Sequence, residues 1–179
     1  MSEASPPSTS TCSIRVLKRP ASNCWRLPPK ALLTPRRMDV AVKYRFFAHL
    51  LGGGDPGSEQ VYLLHIEQRS GARMKMGVAT DHWKRNLDDY VTSANELFRS
   101  MTEQGFHDFY AVPIDPSQEL LDGSHRLACA LALDLETVPV VLMDKRVWAP
   151  SWGRDWFMAK GMSGDDLERM ASDWELLTQ

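Results

Sequence analysis

No run in this 179-residue chain approaches the ~18 consecutive apolar residues that a membrane-spanning helix needs, so no such span is expected. Cysteine is scarce. Cys12, Cys24 and Cys129 are odd in number and far apart, without the spacing of a zinc site or a disulfide framework. Reduced thiols in a cytoplasmic protein are the expected state. Cys129, inside an alanine-rich stretch, reads as a small core residue rather than a nucleophile. The glycine-rich "GGGDPG" (Gly52 to Gly57) follows no strand candidate and precedes no Gly-Lys-Ser/Thr, so it reads as a connection and not as a phosphate loop. Internal repeats are absent as well.

What is present is an uneven charge distribution and enough apolar residues, 43%, for a core. The net charge of -2 divides into +7 for Met1 to Arg45 and -9 for the remainder. Residues 1–35 hold six of the eleven prolines and a Ser/Thr-rich start. Such a composition buries little surface, so 1–35 is expected to be a flexible basic tail. It lacks the continuous apolar core of a secretory signal. A solvated tail is the expectation, with a transit segment, or binding of nucleic acid or an anionic surface, as the alternatives. Residues 36–179 are then expected to form a single domain.

Within that domain, "MDVAVKYRFFAHLL" carries Val40, Tyr44, Phe47 and Leu51 at helical spacing, and Gly52 ends the helix. "VYLLHIEQR" (Val61 to Arg69) reads as a first strand, which would align His65, Glu67 and Arg69 on one face. That face is either a polar strand end or a functional surface. Asn86 or a neighbour caps a helix with Asp88 and Asp89 in its first turn, a stripe from Leu87 to Met101, and a stop at Gly105. "FYAVPI", the turn "DPSQ" and "ELL" predict two short strands. "TVPVVLM" predicts another, whose Pro139 points to an edge or a bulge. Ser163 caps a last amphipathic helix through Leu167, Met170, Trp174 and Leu177.

The most informative stretch is "LLDGSHRLACALAL" (Leu120 to Leu133), where Asp122, Gly123, Ser124, His125 and Arg126 open an apolar helix. A helix start has unpaired amides and a partial positive charge, and therefore favours an anion. Gly123 permits close backbone approach, Ser124 and His125 offer donors, and Arg126 offers a planar fork for phosphate. The alternative is structural: Asp122 or Ser124 as an ordinary cap and Arg126 in a salt bridge.

The order of these elements, with "SMTEQGF", "AVPID", "ELLDGSHRLACALAL" and "ETVPVVL" in sequence, resembles the ParB/sulfiredoxin superfamily. The resemblance spans roughly Val61 to Met143. It implies an α+β fold, a mixed sheet with packed helices, extended here by an N-terminal and a C-terminal helix. It also implies that Gly123, Ser124, His125 and Arg126 hold the phosphates of a nucleotide. Sulfiredoxins carry a cysteine where this chain has Ser124, so sulfinic acid repair is not implied. ParB proteins carry Gly-Glu-Arg-Arg and a DNA reader, and no helix-turn-helix follows Met143 here. The Asp-Gly-x-His-Arg pattern looks most like a branch that phosphorylates free serine or related hydroxyl compounds.

The implied function is transfer of a phosphoryl group from ATP or ADP to a small hydroxylated metabolite, such as an amino acid or a sugar. Asp122 is then the expected Mg²⁺ ligand or catalytic base and Glu67 a second base, with His65 and Arg69 toward the substrate. The rival reading is a non-catalytic nucleotide-binding regulatory module. The acidic body opposes a nucleic-acid surface, and a homodimer is compatible with either. "KRVWAPSWGRDWF", with Trp148, Trp152 and Trp156, either closes the core or walls a substrate pocket.

Overall fold

The computed structural model describes residues 24–75, 84–143 and 151–179. In these the chain forms β1 (Cys24–Leu27), α1 (Asp39–Leu50), α2 (Ser58–Lys75), α3 (Leu87–Gln104), β2 (Val112–Ile114), α4 (Ser124–Ala132), β3 (Val138–Leu142), α5 (Arg154–Ala159) and α6 (Gly164–Thr178). Short 3-10 turns at Pro29–Leu32, Pro35–Arg37 and Asp108–Tyr110 join them. The class is α+β, as expected, with helices dominating a small mixed sheet.

α1 is the centre of the molecule. It buries Val40, Ala41, Val42, Phe46 and Phe47, and also Asp39 and Lys43. A helix buried on so many sides needs neighbours all round, and α4, α2 and α6 supply them, with α4 packed most extensively. α4 is itself short and buries Leu127, Ala128, Cys129 and Ala130; its small side chains let the two helices approach closely.

The sheet order is β1-β3-β2. β3 runs antiparallel to β1, from Cys24 opposite Val141 to Leu27 opposite Val138. It runs parallel to β2, from Val112 opposite Val140 to Ile114 opposite Leu142. A parallel pair requires a crossover, and α4 provides it. β2 to α4 to β3 is therefore one unit, and the motif at residues 122–126 sits at its turning point.

Four expectations change. Residues 61–69 are not a strand; they belong to α2, whose buried positions Tyr62, His65, Ile66 and Ser70 repeat at helical intervals. β3 is the central strand rather than an edge. Its Pro139 is tolerated because the pairing with β2 begins only at Val140, so that ladder does not need the missing N–H. "ELL" contributes one antiparallel bridge, Ile114 to Leu120, in place of a strand. The ordered fold also starts earlier than the composition implied: β1 and the fully buried Leu32 lie within the segment assigned to the tail. The rest of that segment, residues 1–23, lies outside the described residues, as does Trp148.

The capping signals read as expected. Asn86 and Asp89 form a reciprocal capping box at α3, Gly105 ends it at a φ of 73°, and the Ser163 hydroxyl accepts from the Asp166 amide.

Candidate functional site: a cleft with clustered cations at the start of α4

Gly123 adopts φ 87° and ψ 19° and serves as the N-cap of α4, which has no side-chain cap among the described residues. Neither Asp122 nor Ser124 covers the first-turn amides, so the helix start keeps its attraction for an anion. A Cβ at Gly123 would lie 2.9 Å from Arg126 Nη2. The left-handed backbone and the crowding both demand glycine here.

Arg126 is engaged by the fold. Its Nη1 donates to the Tyr110 and Ala111 carbonyls, the latter at 3.2 Å, and its Nη2 lies 3.6 Å from Asp122 Oδ2. The guanidinium thus ties the start of α4 to the turn before β2. Asp122 is largely exposed, at 82%, so that contact adds little to stability.

Ser124 is almost fully buried, and its hydroxyl accepts from Lys43 Nζ at 2.9 Å. Lys43 also lies 2.5 Å from Asp39 Oδ2. Arg37 donates from Nε to Asp39 Oδ1 at 2.9 Å and from Nη1 to the Leu120 carbonyl at 2.6 Å. Two cations and one carboxylate, all essentially inaccessible, therefore lie under the motif. Burial alone would raise the Asp39 carboxyl, but Lys43 and Arg37 overcome it and hold it well below the usual carboxylate range. Burial pushes the Lys43 ammonium down to about 8, against the pull of Asp39, with Arg69 and Arg37 adding repulsion. The cluster carries an excess of positive charge in a dry setting, a condition that a bound anion relieves.

Arg37, Gly123, Ser124 and Arg126 border a cleft of about 770 Å³, with Asp39 and Lys43 buried behind them. Among the described residues its walls hold four cations (Arg37, Arg69, Lys84 and Arg126) and two carboxylates (Glu96 and Asp122). Trp152 is a wall of this cleft and gathers charge around its ring: Arg37 at 5.0 Å, Arg69 at 5.6 Å and Lys43 at 5.7 Å. Its amide donates to the Arg36 carbonyl at 2.7 Å, which fixes the segment after residue 150 against the start of α1. Trp156 packs instead against His65 and Phe157.

The residues named from sequence separate into groups. Asp122, Gly123, Ser124, His125, Arg126 and Arg69 all line the cleft. Arg69 approaches the Tyr90 ring at 5.5 Å and donates to its hydroxyl at 3.1 Å. His125 Nε2 meets the Tyr62 hydroxyl at 3.0 Å. Burial, then Lys43 and Lys84, hold the His125 pKa well below its ordinary value, so the ring is neutral at pH 7 and offers no charge.

His65 and Glu67 do not line the cleft. In a helix, residues two apart point about 200° from each other, whereas residues four apart share a face. His65 and Arg69 therefore stay together and Glu67 turns to solvent. His65 is fully buried against Trp152, Trp156 and Phe157, with both ring nitrogens unpartnered among the described residues.

Sequence reasoning missed Arg37, Asp39, Lys43, Tyr62 and Tyr90. One signal was available: Asp39 and Lys43 are four apart and interrupt an apolar helix on the side of its buried stripe, a pattern that points to a buried pair. Among the described residues no group of three or more His, Cys, Asp or Glu side chains converges as a metal site. Comparison with family models, with curated proteins and with solved structures finds no match to this chain.

Proposed function

We propose that this chain is a nucleotide-dependent phosphotransferase that acts on a small hydroxylated metabolite, built on a ParB/sulfiredoxin-like core. The observation that carries the reading is the uncapped start of α4, opened by Gly123, above a buried cluster with more positive than negative charge. Phosphoryl transfer is mainly positioning and charge neutralisation, and those are the properties this cleft has. Its volume suits a nucleotide and a small acceptor. The β2-α4-β3 crossover with Gly-x-x-Arg at its turning point supports the likeness in fold.

In this reading the amides at Gly123 and Ser124 receive the phosphates, with Lys43 lending charge from beneath and Arg126 bracing the helix start. Asp122 is the carboxylate that would take the acceptor proton or hold Mg²⁺. Magnesium on a nucleotide needs one or two carboxylates besides phosphate oxygens and water. The exposed Asp122 beside the phosphate site fits that limited requirement. The ion would supply charge neutralisation between phosphate and carboxylate.

A second reading, a nucleotide-binding regulatory module without turnover, is favoured by one observation: Glu67 lies away from the cleft, which leaves fewer carboxylates to act as a base. The two share the anion site and part at catalysis. Incubation with ATP or ADP, Mg²⁺ and a pool of amino acids and sugars distinguishes them. Acceptor-dependent release of the cleaved nucleotide supports the phosphotransferase. Binding without turnover supports the module, and failure to bind ATP, ADP or CTP overturns both.

A further inference from the structure

At the end of α3 the chain makes a turn that leaves two large aromatic rings uncovered. Phe109 and Tyr110 are 53% and 44% exposed, and their ring centroids are 5.3 Å apart. Both line the cleft that holds Gly123 and Ser124. Adjacent exposed rings on the wall of a cleft are a cost to a soluble fold unless something covers them. The turn that presents them is closed by its own hydrogen bonds. His107 Nδ1 accepts from the Phe109 amide at 3.1 Å, and the Tyr110 amide donates to the His107 carbonyl at 3.0 Å. The His107 ring lies 6.4 Å from Phe109 and 6.2 Å from Tyr110.

The same turn is tied to the phosphate side of the cleft. Arg126, two residues into α4, donates to the carbonyls of Tyr110 and Ala111. The turn that carries the rings is thus joined to the helix start by a single guanidinium. Phosphate recognition needs no aromatic ring; a nucleobase does, because its faces are apolar and its edges polar. Glu96, Ser100 and Gln104 of α3 line the same cleft and offer donors and acceptors for a base edge.

We propose that Phe109 and Tyr110, whose ring planes stand at 84° to each other, form the base platform of this cleft: the nucleobase of the bound nucleotide stacks on the face of one ring and meets the other edge-to-face, while its phosphates face the start of α4. The assignment rests on the nucleotide reading above and adds which residues grip the base. It also makes a statement about specificity: the platform itself accepts any base with a π-face, so preference among ATP, GTP and CTP rests on Glu96, Ser100 and Gln104 at the base edge.

Calorimetry with ATP and with inorganic tripolyphosphate, at matched Mg²⁺, tests the assignment in the full chain. The wild type is expected to bind ATP about tenfold or more tightly than tripolyphosphate. Phe109→Leu with Tyr110→Leu removes the π-faces, and is expected to weaken ATP by about 10- to 100-fold and to leave tripolyphosphate unchanged. Phe109→Trp keeps a π-face and is expected to retain ATP affinity, which guards against a folding defect in the double variant. Equal binding of ATP and tripolyphosphate by the wild type, unchanged ATP binding by the double leucine variant, or loss of ATP by Phe109→Trp overturns the platform while the phosphate site stands. Binding of neither ligand by the wild type overturns the nucleotide reading and the platform together.

Discussion

The Lys43 ammonium donates to the Ser124 hydroxyl across 2.9 Å, from the middle of α1 to the first residue of α4. Ser124 therefore does not cap its helix, and the buried ammonium is aimed at the start of the motif. Two segments 81 positions apart in sequence become one site through this contact.

If the proposed nucleotide site is correct, Lys43 makes its affinity for the anion sensitive to pH. Its pKa is lowered from 10.5 to about 8. Between those values the folded chain holds fewer protons than the unfolded one, so this group alone makes stability rise with pH across that window. Anion affinity moves the other way, because the ammonium discharges above pH 8. ATP is expected to bind more weakly at pH 9 than at pH 7, with proton uptake near pH 8, detected as a dependence of the calorimetric heat on buffer. Lys43→Met should weaken binding at pH 7 and flatten the pH profile.

Gly123→Ala places a side chain on a left-handed backbone and within 2.9 Å of Arg126 Nη2. A loss of at least about 1–2 kcal/mol is expected from the backbone alone, together with weaker ATP binding as Arg126 is displaced. Urea denaturation and calorimetry on the same preparation measure the two. Wild-type stability would show that α4 starts differently.

Arg126→Ala is expected to cost about 1.5–3 kcal/mol of stability, the range for hydrogen bonds to a charged group, because its guanidinium is spent on the Tyr110 and Ala111 carbonyls. Lysine presents no such fork, so Arg126→Lys should recover only part. Loss of ATP affinity with stability unchanged would instead mean that Arg126 contacts the nucleotide directly.

Asp122 and Glu67 are both exposed, and only Asp122 lines the cleft. Asp122→Asn should leave the fold and ATP binding nearly intact and lower turnover by about 10²-fold or more. Glu67→Gln should change neither. Assays of phosphorylated acceptor with each variant decide the matter; full turnover in Asp122→Asn removes this carboxylate from the mechanism.

His65 predicts the acid limit of the fold. Burial, then Lys43, hold its pKa well below 6.5. Below about pH 6.5 the unfolded chain gains a proton that the folded chain refuses, so stability falls as pH drops. His65→Leu removes this contribution and two buried nitrogens that have no partner among the described residues. It should be neutral or stabilising at pH 7, and the loss on going from pH 7 to pH 5 should be smaller than in the wild type by urea denaturation.

The signals legible in the sequence were local ones. Asn86 with Asp89, Gly105 and Ser163 marked helix ends because a cap is made by neighbours three or four residues apart. The opening of α4 at Gly123 was legible for the same reason. α2 was not. A short apolar run from Val61 to Ile66 fits either period, and the helical stripe appears only if His65 counts as buried, which the residue type opposes. That misreading also put Glu67 beside His65 and Arg69.

By itself, then, the sequence determined an α+β chain with a glycine-opened helix start at residues 122–126, because turn and cap geometry follow from adjacent residues. Only the tertiary structure decided what surrounds that stretch. The packing of α1 against α4 brought in Arg37, Asp39 and Lys43, and the seating of residue 152 on Arg36 brought in Trp152. It also turned Arg126 from a free phosphate ligand into a brace and left Phe109 and Tyr110 open to the cleft. The physical reason is that burial sets the value of a charge: a lysine in a helical sequence reads as solvated, and acquires its depressed pKa and its role only when other helices exclude the water around it.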